Sequence, residues 1–121
     1  MELKIIIWFV ERANVMKSKI SIIILTWNGL DYTKKCLNSL KESDGIEKCT
    51  VYVVDNGSTD GTIEYLSQLD WIKLIKNDKN LGFVRGNNVA IHQIQEGDVI
   101  LLNNDIIIVQ KNWINKLHES A

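Results

Sequence analysis

The chain has 121 residues, of which 45% are hydrophobic and 24% are charged, and these values are typical of one soluble globular domain. Its net charge of −1 gives no basis for binding nucleic acid or an anionic membrane surface, since either ligand favours a basic face. The two cysteines, Cys36 and Cys49, are too few for a disulfide framework and lack metal-ligand spacing, which favours a reducing cytoplasm.

The first residues contain a short apolar run at 5–10 between Lys4 and Glu11. A helix that spans a bilayer needs about 20 apolar residues, so this run is too short to cross a membrane. It is also shorter than the core of a signal peptide, and no small-residue cleavage site follows it. We therefore assign residues 1–18 to an N-terminal extension. Two interpretations of its first part stay open: a segment outside the core of the fold, or an added edge strand or contact with a partner.

From Ile20 onward the chain alternates between runs typical of buried strands and patterns typical of amphipathic helices. The β-branched run at 20–25 predicts a strand that is covered on both faces. Asp31 can cap the helix that follows this strand. The apolar positions of that helix recur with a period of about 3.6 residues and are Tyr32, Cys36, Leu37 and Leu40.

The middle of the chain repeats this alternation. Residues 51–54 predict a second buried strand, and capping residues at 58–60 predict the start of a helix after it. The inward positions of this second helix are Ile63, Leu66 and Leu69. Residues 72–75 predict a third strand, which is short and near an edge of the sheet.

The last third of the chain adds one more strand and two more helices. A glycine-containing loop is predicted at 80–86, followed by a helix. That helix buries Ala90, Ile91 and Ile94. Residues 99–102 predict the fourth strand, 106–109 form a further apolar run, and 113–117 predict a final helix. This order of strands and helices predicts an α/β fold, a parallel sheet wrapped by right-handed crossovers.

Each predicted strand ends in a polar cluster, and these clusters are 26–29, 55–58, 77–78 and 103–105. In open α/β sheets, ligands bind outside the carboxyl ends of the strands, where the strand order reverses. Turn formation alone explains asparagine, aspartate and glycine at such positions. It explains Asp105 less well, because a carboxylate between two apolar runs is costly to desolvate unless it is paired. A metal ion is one such partner.

Two carboxylates with separate tasks fit this pattern. Asp105 offers a hard oxygen ligand, suited to Mg²⁺ or Mn²⁺ that is shared with water and phosphate oxygens. Asp55 follows a neighbouring strand and can accept a hydrogen bond from a base imide or a ribose hydroxyl. The motifs of dinucleotide-binding folds, P-loops and nucleophile elbows are absent from the sequence.

Four ordered blocks of the sequence resemble the family-2 glycosyltransferases of the GT-A fold. The blocks are 22–28, 53–62, 80–88 and 101–105. The resemblance implies a parallel-sheet, Rossmann-like three-layer sandwich in which residues 19–121 form the half that binds a nucleotide diphosphate-sugar. It also implies inverting transfer from a donor of the UDP or dTDP type to a saccharide or lipid-linked acceptor. The style of the blocks is similar to that of rhamnosyl-type members that act on cell-surface polysaccharides.

The resemblance also implies a donor site. Asp105 matches the last residue of the family's metal-binding D-x-D, and Asn103 stands at its first position, so metal coordination would rest mainly on Asp105. Asp55 matches the carboxylate that contacts the base or ribose. The other implied donor-binding residues are Thr26, Trp27, Asn28, Asn56, Arg85, Asn87, Asn88 and Asn104.

The family's catalytic base, an Asp or Glu that deprotonates the acceptor, lies past the D-x-D block, and we expect it beyond Ala121. A truncated domain without it should bind donor but transfer poorly. Truncation should also leave apolar surface beside 106–109, which homo-oligomerisation would bury. We expect a cytoplasmic location, with peripheral attachment to the inner face of the membrane as an alternative. The competing hypotheses are an inactive nucleotide-binding module and an assembly domain without a ligand.

Overall fold

The computed structural model describes residues 5–10 and 19–120, which form one five-stranded sheet with helices on both faces. The strands are β1 (Ile5–Val10), β2 (Ile20–Thr26), β3 (Cys49–Asp55), β4 (Lys73–Lys76) and β5 (Gly97–Asn103). The helices are α1 (Leu30–Lys41), α2 (Thr62–Leu66), α3 (Gly82–Ile91) and α4 (Trp113–Ser120), with a short 3-10 turn at Ile46–Lys48.

The order of the strands across the sheet is β1-β5-β2-β3-β4. β2 pairs in parallel with both β3 and β5, and β3 pairs in parallel with β4, which confirms the predicted parallel α/β sheet. The chain runs from β2 outward to β4 and then returns to the other side of β2 as β5. The strand order therefore reverses between β2 and β5, the place where open α/β sheets bind ligands.

β1 lies at the edge of the sheet and runs antiparallel to β5, with Ile5 opposite Leu102 and Val10 opposite Gly97. This pairing corresponds to the added edge strand, one of the two interpretations of the N-terminal residues. Residues 1–4 and 11–18 lie outside the described residues. The boundary between an extension at 1–18 and a domain at 19–121 therefore stays a prediction.

Two hydrophobic cores cover the two faces of the sheet and give the three-layer sandwich. Successive side chains of a strand point to opposite faces, so Ile22 and Ile24 belong to one core and Ile23 belongs to the other. α1 and α4 cover the first face, where Leu37 and Trp113 are almost fully buried. α3 covers the second face. Its contribution to that core is Ala90, with Ile94 just beyond its end and Ile91 partly buried.

The start of α1 differs from the prediction in two ways. Tyr32 is 63% exposed, and the buried position beside it is Thr33. No side chain of α1 caps the helix, so the assignment of Asp31 as its cap was wrong. The Leu30 N–H instead donates to Asp60 Oδ2 at 3.1 Å. The reason is tertiary, because the loop after β3 lies against the start of α1 and supplies the acceptor.

α2 and α3 also have bounds other than those predicted. α2 ends at Leu66, although Leu69 still packs against the first core. α3 begins at Gly82, so most of the predicted loop at 80–86 is helical. Its Gly86 is a close-packing residue, since a Cβ there would lie 2.8 Å from Leu25 Cδ1. β4 lies one residue later than predicted, and it is an edge strand as expected.

The segment after β5 returns along α1. Ile106 and Ile108 are buried, whereas Ile107 is 41% and Val109 is 87% exposed. The Ile108 N–H donates to Ser39 Oγ at 2.9 Å, which attaches the segment to α1. None of the helices in the described part of the chain has the length and hydrophobicity that a membrane span requires.

Candidate functional site

The register of the parallel strands places three predicted site residues at one edge of the sheet. Thr26 is the partner of Asp55 across β2 and β3, and Leu25 is the partner of Asn103 across β2 and β5. Neighbouring strands lie about 4.8 Å apart, so the ends of β3, β2 and β5 form a continuous row. The polar loops that follow these strands therefore meet at the carboxyl edge, as the sequence predicted for this fold.

A buried hydroxyl cluster connects β2, α1 and the turn after β5. Thr26 Oγ1 lies 2.8 Å from Thr33 Oγ1 and donates to the Asn28 carbonyl at 3.3 Å. Asn104 Nδ2 donates to Thr33 Oγ1 at 3.2 Å and to Thr26 Oγ1 at 3.4 Å. Sequence reasoning missed Thr33, which lies three residues before Cys36 on the inward stripe of α1. A polar residue in that stripe was the available signal.

Asp55 is fully buried, and its two carboxylate oxygens have different surroundings. Oδ2 accepts the backbone N–H groups of Gly57 at 3.1 Å and Ser58 at 2.8 Å. Oδ1 is buried as well, and within the described residues it has no hydrogen-bond partner. Buried polar atoms are nearly always paired, so this oxygen fits a donor that arrives with a ligand.

Asn28 joins the loops that follow β2 and β3. Its backbone has a positive φ of 54°. Its N–H donates to Ser58 Oγ at 2.7 Å, and its Oδ1 accepts the Thr59 N–H at 2.8 Å. Both hydrogen bonds are made within the protein, so Asn28 fixes the positions of the two loops relative to each other.

Asn56 is 2% exposed and fastens the loop that leads into α3. Its Nδ2 donates to Asn80 Oδ1 and to the Gly82 carbonyl, both at 3.2 Å. Its Oδ1 accepts Asn77 Nδ2 at 2.9 Å and the Leu81 N–H at 3.3 Å. Both ends of the Asn56 amide make hydrogen bonds within the protein, so this side chain holds the neighbouring loop in place.

A cavity of about 100 Å³ opens where the strand order reverses, between the ends of β2 and β5. Its lining includes Leu25, Phe83, Asn87, Asn103 and Asn104, together with two leucines of β5. Asn87 is held in place by donating to the Phe83 carbonyl at 2.9 Å. Pockets for drug-sized ligands have volumes of about 300–1,000 Å³, so this cavity is large enough for only part of such a ligand.

Asp105 lies in the turn directly after the cavity-lining asparagines, and it is exposed. The pKa of the Cys36 thiol is raised to about 12, mainly by burial and to a smaller extent by the charge of Asp105, against an opposing hydrogen bond from the Ile106 backbone. The charge of Asp105 therefore acts on the middle of α1, where Cys36 lies. Cys36 is thus an inert core thiol, as expected for a fully buried cysteine.

The remaining predicted residues lie around the rim. Trp27 is 54% exposed. Arg85 is exposed and Asn88 is half-buried, both on α3. No hydrogen bond or ion pair within the described residues links Arg85 to the other site residues. The structure therefore groups Thr26, Asn103 and Asn104 closely, whereas Arg85 is linked to them only through α3.

The residues present fit a divalent ion only in part. Within the described residues, no three His, Cys, Asp or Glu side chains form a metal-binding cluster. Asp105 provides one carboxylate in the turn, and Asn103 lies two residues before it at the end of β5. Mg²⁺ and related ions are often held by one or two carboxylates together with phosphate oxygens and water. The site therefore fits an ion whose coordination shell a ligand completes.

Comparison with known proteins gives a consistent result. The profile of the family described as Glycosyl transferase family 2 matches residues 21–121. The chain is 31% identical over 101 residues to an uncharacterized glycosyltransferase, YfnE, of Bacillus subtilis, covering 81% of this chain and 26% of that protein. It is 32% identical over 102 residues to the glycosyltransferase AglE of Haloferax volcanii, covering 80% of this chain and 33% of that protein.

Solved structures show the same fold. TarS residues 1–349 of S. aureus in complex with UDP superposes with a TM-score of 0.74 at 28% identity, covering 83% of this chain and 31% of that chain. The mannosyltransferase PcManGT of Pyrobaculum calidifontis, in complex with GDP-Man and Mn²⁺, has a TM-score of 0.66 at 23% identity, covering 76% and 29%. At that identity the second likeness shows the fold alone. The chain thus spans between a quarter and a third of the length of these proteins.

Proposed function

The chain belongs to the glycosyl transferase family 2, and from this premise we propose that it forms the donor-binding part of an inverting glycosyltransferase. In this proposal a nucleotide diphosphate-sugar lies across the carboxyl ends of β2, β3 and β5. Its sugar is transferred to a saccharide or lipid-linked acceptor. The observation that carries the proposal is the buried Oδ1 of Asp55, which has no partner within the described residues and lies at the strand end beside Thr26.

The nucleoside would contact the ends of β2 and β3. Asp55 Oδ1 can accept only from an N–H or O–H donor, and a base imide or a ribose hydroxyl provides one. The exposed ring of Trp27 offers a flat apolar surface on which a base can stack. Uracil and thymine both carry an imide N–H. The similarity to TarS, solved with UDP and with UDP-GlcNAc, supports a uridine donor over a thymidine donor.

The diphosphate and sugar would lie toward β5 and α3. Asp105 and the amides of Asn103 and Asn104 would hold Mg²⁺ or Mn²⁺ together with the diphosphate. Such an ion supplies neutralisation of the charge that develops on the departing diphosphate. Asn87 lines the cavity and Asn88 follows it, so these residues are placed for contacts with the sugar or phosphates. The exposed Arg85 would add positive charge at this side.

Asn28 and Asn56 take a different role in this proposal. Their side chains are used in hydrogen bonds between loops, so we assign them to positioning the site. They would affect donor binding through the loops at the ends of β2 and β3.

A second candidate is a nucleotide-binding module that does not catalyse transfer. Among the described residues, the cavity is lined by leucine, phenylalanine and asparagine, without an acid or a histidine. A general base contributes about 10²- to 10⁴-fold to the rate of such reactions. Donor binding without turnover would favour this second candidate, whereas transfer of the sugar to an acceptor would favour the first.

Nucleotide binding tests the proposal directly. Isothermal titration with UDP, dTDP and GDP, each with and without Mn²⁺, should give metal-dependent binding of one nucleotide. Asp105→Asn should remove the metal dependence. Asp55→Asn should weaken binding with or without metal, because it keeps an acceptor for the Gly57 and Ser58 N–H groups but can present an amide N–H to the ligand.

The matched control is Asp70→Asn, which removes an exposed carboxylate in the loop before β4, at the opposite edge of the sheet. This variant should bind as tightly as the parent chain. If Asp55→Asn and Asp105→Asn also match the parent, the assigned roles are wrong. If the parent binds no nucleotide under any condition, the proposed function itself is wrong.

A further inference from the structure

The hydroxyl of Thr33 is a buried polar group that contacts two predicted site residues, Thr26 and Asn104, and that the sequence did not identify. Thr33 is 0% exposed and lies on the inward stripe of α1, with Cys36 one turn later. One side chain contacts the turn after β5, and the other contacts the end of β5 itself. Asn104 Nδ2 donates to Thr33 Oγ1 at 3.2 Å, and Cys36 Sγ donates to the Asn103 carbonyl at 3.6 Å. α1 therefore supports the part of this turn that lines the cavity.

The number of available protons determines which end of the Asn104 amide faces the hydroxyls. Thr26 Oγ1, Thr33 Oγ1 and Asn104 Nδ2 form a triangle with sides of 2.8, 3.2 and 3.4 Å. Thr26 gives its own proton to the Asn28 carbonyl. With the amide nitrogen inward, the Thr33 hydroxyl donates to Thr26, and one Asn104 N–H is shared between the two oxygens. Every contact in the cluster is then satisfied.

The opposite orientation of the amide leaves contacts unsatisfied. With Oδ1 inward, the cluster contains only the two hydroxyl protons for four close contacts. At least two pairs of oxygen atoms would then face each other without a proton between them. Since two oxygen atoms in contact repel each other unless a proton lies between them, the cluster favours the orientation with Nδ2 inward. In that orientation Oδ1 is directed out of the cluster, and within the described residues no protein group donates to it.

We propose that Thr33 is a positioning residue that fixes the orientation of the Asn104 amide, so that the cavity is lined by its carbonyl oxygen. An oxygen at this place accepts hydrogen bonds from sugar hydroxyls or coordinates a hard cation, whereas an amide N–H₂ does neither. This consequence for the ligand rests on the proposed function. The orientation itself does not, so the two are tested separately.

Hydrogen exchange of the Asn104 side chain tests the orientation in the ligand-free chain. The side-chain N–H₂ signals are identified by their loss in Asn104→Ala. In the parent they should exchange with water about tenfold more slowly than the side-chain N–H₂ signals of Asn38, an exposed residue of α1. Thr33→Val should remove that protection, and Thr33→Ser should keep it. Exchange as fast as that of Asn38 in the parent would overturn the inference without any variant.

Donor binding tests the consequence. With the nucleotide and Mn²⁺ that the parent binds, Thr33→Val should weaken binding by about three- to tenfold, the effect of one hydrogen bond. Thr33→Ser should restore it to within about twofold. In the Asn104→Ala background, Thr33→Val should cause no further loss, because Thr33 acts through Asn104. Equal binding by Thr33→Val and the parent, or a full further loss in the double variant, would contradict this role. A parent that binds no nucleotide contradicts the proposed function, and the exchange experiment still decides the orientation.

Discussion

Two aspartates, one at the end of β3 and one in the loop after it, have separate tasks, and their hydrogen bonds distinguish these tasks. Asp55 is fully buried and keeps one oxygen without a partner within the described residues. Asp60 is exposed and accepts the N–H groups of Leu30 and Thr62, each at 3.1 Å. In the proposed function the first contacts the ligand, whereas the second stabilises the fold. Asp60 thus joins the start of α1 to the start of α2.

The role of Asp60 predicts a pH dependence of stability. The hydrogen bond from the Thr62 hydroxyl lowers the pKa of Asp60 most, and the backbone N–H groups add to this against a smaller effect of burial. A carboxyl with a lowered pKa stabilises the fold above its unfolded pKa, and this stabilisation is lost as the pH falls through the folded pKa. Asp60→Asn should therefore reduce the free energy of unfolding at about pH 7, and the difference should shrink below about pH 4.

Urea unfolding of both chains across this pH range provides the measurement. An equal loss of stability at neutral and acidic pH would show that the charge of Asp60 is not what stabilises the two helix starts.

At the scale of the elements, α3 depends on a glycine for its close approach to the sheet. A Cβ on Gly86 would lie 2.8 Å from Leu25 Cδ1 and 2.9 Å from Asn56 Nδ2. Neither neighbour can move freely, because Leu25 is in β2 and Asn56 holds four hydrogen bonds. The helix could not keep its present distance from the sheet with any larger residue at this position.

Gly86→Ala should therefore destabilise the chain. In an exposed helix interior this change stabilises by about 1 kcal/mol, but here overpacking should reverse the sign and give a net loss of about 1–3 kcal/mol. Chemical unfolding measures it. Val84→Ala, at an exposed position of the same helix, is the control and should change stability by less than about 0.5 kcal/mol. A Gly86→Ala chain as stable as the parent would mean that α3 can shift without cost.

The elements also show which features a sequence can predict. The apolar runs of β2 and β5 predicted their strands because the apolar pattern of a strand is a local property of the sequence. The start of α3 was placed too late because glycine usually marks a loop. Gly86 instead lies inside the helix, where a side chain would clash with Leu25. The inward position of Thr33 could be read from the helical period, but its contact with Asn104 could not, because the two residues are 71 positions apart. The same applies to Asp60 and Leu30, which are 30 residues apart.

At the scale of the whole molecule, the sheet order decides where the site lies. The reversal between β2 and β5 opens the cavity, and the parallel register aligns the polar loops along one edge. The sequence predicted that edge, because each strand could be seen to end in polar residues. It did not predict which side chains face a ligand and which connect the loops. That distinction depends on partners such as Asn77 and Asn80, which use both ends of the Asn56 amide.

The segment after β5 packs against α1 and exposes two apolar side chains to solvent. Ile107 and Val109 are exposed on either side of the buried Ile108, so they form a small apolar patch, and such patches tend to be covered by association. We propose that a second copy of the chain covers it. Light scattering over a range of concentrations should then show a homo-oligomer, and the double substitution Ile107→Lys and Val109→Lys should give a monomer. Val84→Lys changes an apolar residue on α3 that is 67% exposed, and it should leave the oligomer intact. A parent chain that stays monomeric at high concentration would contradict this assignment, and the patch would then be a solvated surface of the monomer.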